Sequence, residues 1–132
     1  MPDFPAGDFP SATIARIDKM PAFETPVEAT ILMTGAEDLL IEKTDNKQGL
    51  LDGYVDLTLM QAGDTIVVRQ YMQAKAAGTY VKYAEETYTN AQTLPLLNIV
   101  TKTAKTKIKV TAQQTAGVNR NLDVQFYRRA ET

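Results

Sequence analysis

At 132 residues, 44% of them hydrophobic and 23% charged, the chain has the size and composition of one packed domain. It contains no Cys, His or Trp, which excludes disulfides, thiolate and imidazole metal sites, and catalysis by Ser–His or Cys–His pairs. Its net charge of −2 is not the basic balance of a free-standing nucleic-acid binder, so no nucleic-acid partner is expected.

The first 26 residues stand apart. They hold five of the six prolines (Pro2, Pro5, Pro10, Pro21, Pro26) and three of the four phenylalanines (Phe4, Phe9, Phe23). Proline fixes φ and removes a backbone donor, so this stretch is excluded from central strands. Ser11 fits a helix N-cap, with Ile14, Ile17 and Met20 at helical spacing behind it and Pro21 as the stop. Residues 1–26 therefore read as an extended Pro-rich N-terminal arm with one short helix, and 27–132 as the folded domain. Phe4, Phe9, Ile14, Ile17 and Phe23 require burial, which makes them the candidate partner-binding residues of the arm. An acidic start at Asp3 with no apolar stretch behind it is not a signal peptide, and no apolar run is long enough to span a membrane. Neither secretion nor a membrane partner is expected.

From about Ala29 the apolar period becomes two, the signature of half-buried strands. It is cleanest at Val55-Asp56-Leu57-Thr58-Leu59, at Ile108, Val110 and Ala112, and at Leu122, Val124 and Phe126. Further strands are expected over 29–34, 38–44, 65–74, 79–88 and 96–101. Turn signals separate them at Thr34-Gly35, Gln48-Gly49, Ala62-Gly63-Asp64, Leu94-Pro95 and Ala116-Gly117. Ala76-Ala77-Gly78 predicts a hairpin between two long strands. The expected fold is all-β: a two-sheet antiparallel sandwich of about eight strands, either jelly-roll or immunoglobulin-like.

Charge is divided along the chain. Through Asp64 there are twelve acids and four bases; from Thr65 there are four acids and ten bases. The lysine run Lys102, Lys105, Lys107 and Lys109 puts Lys107 and Lys109 on one outward face. These two are candidates for meeting an acidic partner, including the acidic half of a second copy; otherwise they form a solvated face that discourages edge pairing. Tyr71, Tyr80, Tyr83, Tyr88 and Tyr127, near Arg69 and Lys82, would stack on sugar rings if exposed, or line a sheet face and rim.

No metal or cofactor site is expected. Among Glu37, Asp38, Asp45, Asp52, Asp56 and Asp64, the nearest approach to a calcium loop is Asp45-Asn46-Lys47-Gln48-Gly49, where Lys47 takes a ligand position, so a turn is the better reading. Glu85 and Glu86 point to opposite faces of a strand and make a poor acid/base pair. With no phosphate loop, no dinucleotide fingerprint and Ser11 the only serine, the chain is not expected to be an enzyme.

The Pro-rich arm, the cysteine-free sandwich and the turn-rich body from Ala62-Gly63-Asp64 to Gln113-Gln114-Thr115-Ala116-Gly117 resemble small β-sandwich virion proteins of tailed bacteriophages, of the capsid decoration (cement) or minor capsid type. The resemblance implies a non-enzymatic structural protein of the virion, made in the host cytoplasm. Such a protein forms a symmetric homo-oligomer on a capsid lattice, with its arm reaching capsid protein or copies of itself. The alternative is a carbohydrate-binding or adhesion module using exposed tyrosines such as Tyr80 and Tyr83.

Overall fold

The structure, a computed structural model, describes residues 21–23 and 26–131. The described residues form nine strands and no helix: β1 (Pro21–Phe23), β2 (Val27–Leu32), β3 (Glu37–Lys43), β4 (Gly49–Asp56), β5 (Thr65–Gln73), β6 (Tyr80–Thr89), β7 (Leu96–Val100), β8 (Ile108–Ala116) and β9 (Asn121–Glu131). The helix expected after Ser11 lies outside the described residues.

All pairings are antiparallel. β1 and β2 pair in succession along one edge of β9, opposite 129–131 and then 121–126, so together they act as one interrupted edge strand. The two sheets then run β1/β2-β9-β4-β7 and β3-β8-β5-β6. The pairs are nested: β2 with β9, β3 with β8, β4 with β7, β5 with β6. A long hairpin rolled up on itself gives this order, which is the jelly roll and not the immunoglobulin arrangement. The innermost turn of the roll is the hairpin predicted at Ala76-Ala77-Gly78, with Gln73 opposite Tyr80 and Ala77 at φ 60°.

The inner faces of the sheets bury Met33, Leu40, Val55, Ile66, Val68, Ile99, Val110, Ala112, Leu122, Val124 and Phe126 in one cluster. Alternation along β8 and β9 is as the sequence implies. β4 differs. It begins at Gly49 and ends at Asp56, and the alternation through Leu57 and Leu59 leaves the sheet. Asp56 caps a turn there by accepting from the Thr58 N–H at 2.8 Å, and Met60 N–H closes it on the Leu57 carbonyl at 3.1 Å. Leu57 and Met60 face the core while Leu59 is exposed. The glycines at 49 and 53 concealed the front of this strand, because glycine carries no strand signal.

β1 brings the sheet edge further towards the N-terminus than the expected boundary at 26. Pro21 fits because it sits on an edge, where a missing donor leaves no ladder bond unmade. Pro26 stands just ahead of β2.

Nesting also explains the charge division. Rolling a hairpin pairs the first half of the chain with the second, so acids early in the sequence meet bases late in it. Arg69–Glu37 (3.5 Å), Arg120–Asp64 (2.6 Å), Arg129–Asp52 (2.7 Å) and Arg128–Asp45 all cross from one half to the other. The division serves the fold, so it does not by itself call for a second molecule.

Candidate interaction surface

The outer face of the β3-β8-β5-β6 sheet is occupied by its own side chains. Register places Glu37, Leu39 and Glu42 of β3 beside Lys109, Thr111 and Gln113 of β8, and these beside Arg69 and Tyr71 of β5. Tyr71 and Thr111 each donate a hydroxyl to Glu37 at 2.5 Å, and Tyr80 donates to Glu42. Arg69 reaches Glu85 at 2.8 Å and Gln113 at 2.9 Å, and Lys82 shares Glu85 at 2.7 Å. Burial works to raise the Glu37 carboxyl, but the bonds from Thr111 and Tyr71 and the charges of Arg69 and Lys109 outweigh it and hold it below the usual range. Burial, and then the Glu42 carboxylate, push the Tyr80 hydroxyl far upward, so it stays a donor.

Lys109 lies over two rings, 4.9 Å from the Tyr71 centroid and 4.5 Å from that of Tyr80, which pack edge to face. It is an internal clamp and not a free outward cation. β8 is also an interior strand, bonded to β3 on one side and β5 on the other. Lys109, the one lysine of β8, therefore guards no edge. Lys107 lies just before β8 and is exposed, and its carbonyl accepts from the Gln73 N–H at 3.0 Å, which continues the β5–β8 ladder by one residue. Lys109→Met should remove the ring contacts and keep the stem, lowering stability by about 1 kcal/mol in urea unfolding; a change above about 3 kcal/mol would show that the clamp has been misjudged.

The tyrosines expected to stack on sugars are similarly engaged. Tyr80 is held as above. Tyr83 donates to Gln70 at 2.8 Å, accepts from the Lys102 N–H at 3.2 Å, and has the Lys102 ammonium 5.4 Å over its ring. Neither presents a free flat face. The exposed tyrosine is Tyr54, on the other sheet. Glu85 and Glu86 do lie on opposite faces: Glu85 pairs outward with Arg69, while Glu86 sits opposite the inward Val68.

The two ends of the sandwich are stapled. At one, buried Lys43 donates to the carbonyls of Thr106 (3.0 Å) and Asp45 (3.3 Å). The Asp45 carboxylate takes Lys43, Arg128 and the Lys47 N–H, so the 45–49 segment is a turn held by ion pairs. At the other, buried Asp64 accepts from Arg120 (2.6 Å), Gln61 N–H (2.8 Å) and Val118 N–H (3.1 Å). Among the described residues no group of three or more acids is arranged to hold a metal ion.

Among the described residues, nothing covers the outer face of the β1/β2-β9-β4-β7 sheet or its β7 edge. A shallow depression of about 680 Å³ lies there, lined by Glu28, Thr30, Tyr54, Asp56, Leu96 and Asp123 among others. Asp56 is directly opposite Asp123 in the ladder, an unfavourable like-charge pair. Hydrogen bonds from Thr58 to Asp56, and from Thr30 to Asp123 at 2.6 Å, soften it. Beside this row runs β7, Leu96-Leu97-Asn98-Ile99-Val100. Leu96 is 60% and Val100 56% exposed, and Leu94 just before the strand is 82% exposed.

β7 differs from the other three edges. β2 carries Glu28; β3 carries Glu37, Asp38, Glu42 and Lys43; β6 carries Lys82, Glu85 and Glu86. Charges on an edge discourage strand addition, and β7 has none. Sequence reasoning found this segment as a strand but had no means of placing it on an edge. That depends on strand order, which no local pattern encodes.

Of the residues predicted to bind a partner, Phe4, Phe9, Ile14 and Ile17 lie outside the described residues. Phe23 is in β1, opposite Arg129 in the ladder. No protein-family model, curated protein or solved structure matches the chain.

Proposed function

We propose that this chain is a non-enzymatic structural protein of a virus particle, a capsid decoration or minor capsid component that binds neighbouring subunits. The observation that carries this reading is β7: an uncharged, apolar sheet edge that, among the described residues, is open and lies beside an uncovered outer face. A protein working alone keeps its edges guarded, whereas an assembly subunit needs one that is not. Jelly rolls serve in capsids and in lectins alike. Here the engaged tyrosines of the opposite sheet weigh against the lectin use.

Residues 1–20 provide the second proposed contact. They precede β1 at the far edge of the same sheet and carry Phe4, Phe9, Ile14 and Ile17. A truncated chain should begin at Pro21, so that β1 keeps its pairing with β9. Co-expression with the major capsid protein of the same virus, followed by gradient sedimentation, tests particle binding and the part the arm has in it. The full chain is expected to travel with the particles and the truncated chain to remain near the top while keeping its β-sheet circular dichroism. A full chain that never enters the particle fraction, or that binds a glycan array instead, would overturn the reading.

A further inference from the structure

The hydrogen-bond phase of β7 fixes what its free edge offers. Thr101 N–H donates to the Leu51 carbonyl at 2.9 Å and Leu57 N–H to the Pro95 carbonyl at 2.8 Å. In the β4–β7 register these bonds mark 51 with 101 and 57 with 95 as bonded pairs. By alternation, 53 with 99 and 55 with 97 are bonded too, while 52 with 100, 54 with 98 and 56 with 96 are not. Leu97 and Ile99 therefore turn their backbone groups towards β4. Leu96, Asn98 and Val100 turn theirs away from the sheet. Among the described residues nothing is bonded to them on that side.

We infer that β7 pairs with β7 of a second copy, antiparallel about a two-fold axis at Asn98, joining the two sheets into one. This rests on the reading of the chain as an assembly subunit and names the partner of its open edge. With Asn98 opposite its own copy, Leu96 falls opposite Val100 and Val100 opposite Leu96. All three are then bonded pairs, so each outward N–H and C=O on both copies finds a partner in the same register. Side chains match as well. Leu96 meets Val100 on the outer face at both ends of the seam, and the two Asn98 amides meet at its centre. Leu97 and Ile99 continue the inward face.

Charge selects this partner over the other edges. The seam opposes no two charges, because β7 has none. A partner's β6 would set Glu85 and Glu86, and a partner's β3 would set Glu37, Asp38 and Glu42, against an apolar edge flanked on β4 by Asp52 and Asp56. A two-fold contact of this kind is self-complementary and closes on itself, which avoids the open filament that unlike edges would generate. Five residues per copy fall short of the area of a permanent interface. The dimer is therefore expected to dissociate on dilution and to be reinforced when subunits are held on a lattice.

Sedimentation equilibrium of the pure full-length chain over a wide concentration range tests this. The mass-average weight should rise with concentration from 14.6 kDa towards twice that value. Asn98→Pro removes an N–H that the fold itself does not use, at an edge where proline is tolerated. It should leave thermal unfolding nearly unchanged and weaken association at least about tenfold. Leu96→Lys with Val100→Lys places lysine opposite lysine and should abolish association. Leu96→Lys with Val100→Glu places lysine opposite glutamate and should restore it, which only this register predicts. A monomer at every concentration, or an N98P chain that associates like the wild type, would overturn the pairing. If the wild-type chain is monomeric yet travels with particles, the self-pairing alone is lost and the assembly role stands. If it dimerises but never joins particles, the converse holds.

Discussion

Gly53→Ala is expected to prevent the sandwich from closing. Gly53 lies in β4 opposite Phe126 of β9, at the centre of its sheet. A Cβ there would sit 2.7 Å from the Phe126 Cα and 2.7 Å from its ring, with the Gln125 carbonyl oxygen nearer still. Two of these three contacts are backbone, so no rotamer change relieves them. The β4–β9 ladder would have to part, and Phe126, 1% exposed, would be driven from the core. Overpacking commonly costs about 1–3 kcal/mol where side chains can yield. Here the ladder itself must yield, so about 3 kcal/mol or more is expected, a large share of the roughly 5–15 kcal/mol that holds such a domain. The melting temperature should fall by about 10 °C or more, or the protein should be recovered insoluble. A G53A chain that melts within a few degrees of wild type would show that β4 and β9 are further apart than described.

Gly53 also illustrates what a sequence discloses. Its role is to leave room for a ring 73 positions later in the chain, and nothing near it signals that. The same holds for Asp64, which looks like a turn residue at Ala62-Gly63-Asp64 and is in fact a buried anion gripped by Arg120. Alternation made β8 and β9 legible, because each lies inside a sheet with one face in the core. β4 was half hidden by its glycines. The choice between jelly roll and immunoglobulin arrangement was not legible, since both are runs of short strands that differ only in which meets which. Strand order in turn decided which surfaces are available. It put Lys109 in the interior of a sheet between two tyrosines and put uncharged β7 at an edge. The charge division was the one sequence-wide sign of the order, because a rolled hairpin brings early acids to late bases. Taken as a sign of partners, it pointed outward; the ion pairs show that it points inward.

Asp64→Ala should lower stability by about 3–5 kcal/mol, because it removes one member of a largely buried ion pair and strands the donors that served it. Asp64 is 1% exposed and its oxygens take Arg120, the Gln61 N–H and the Val118 N–H. Its own carbonyl accepts from the Asn90 N–H at 2.8 Å, and the Asn90 amide oxygen accepts from the Gly63 N–H at 2.8 Å. The residue thus ties the β4–β5, β6–β7 and β8–β9 loops together, and β7 starts from the second of these. Gly117 belongs to the same staple. At φ +89° it is in a region that favours glycine, and a Cβ would lie 2.7 Å from the Asp64 Cα. Asp64→Ala and Gly117→Ala should therefore cost less together than the sum of each alone. The Arg120 bond, followed by that from Gln61, holds the Asp64 carboxyl below the ordinary aspartate value of 3.8. A carboxyl lowered on folding contributes its full stability above the unfolded value and loses it as pH falls through the lowered one. Urea unfolding at pH 7, 5 and 3 should accordingly show wild-type stability level from 7 to 5 and dropping towards 3. Asp64→Asn should start lower and drop less; some drop remains, since Glu37 and Asp45 are also held low. If D64N lost as much stability as wild type between pH 5 and 3, the charge of Asp64 would not be what fastens the β4–β5 loop to the β8–β9 loop.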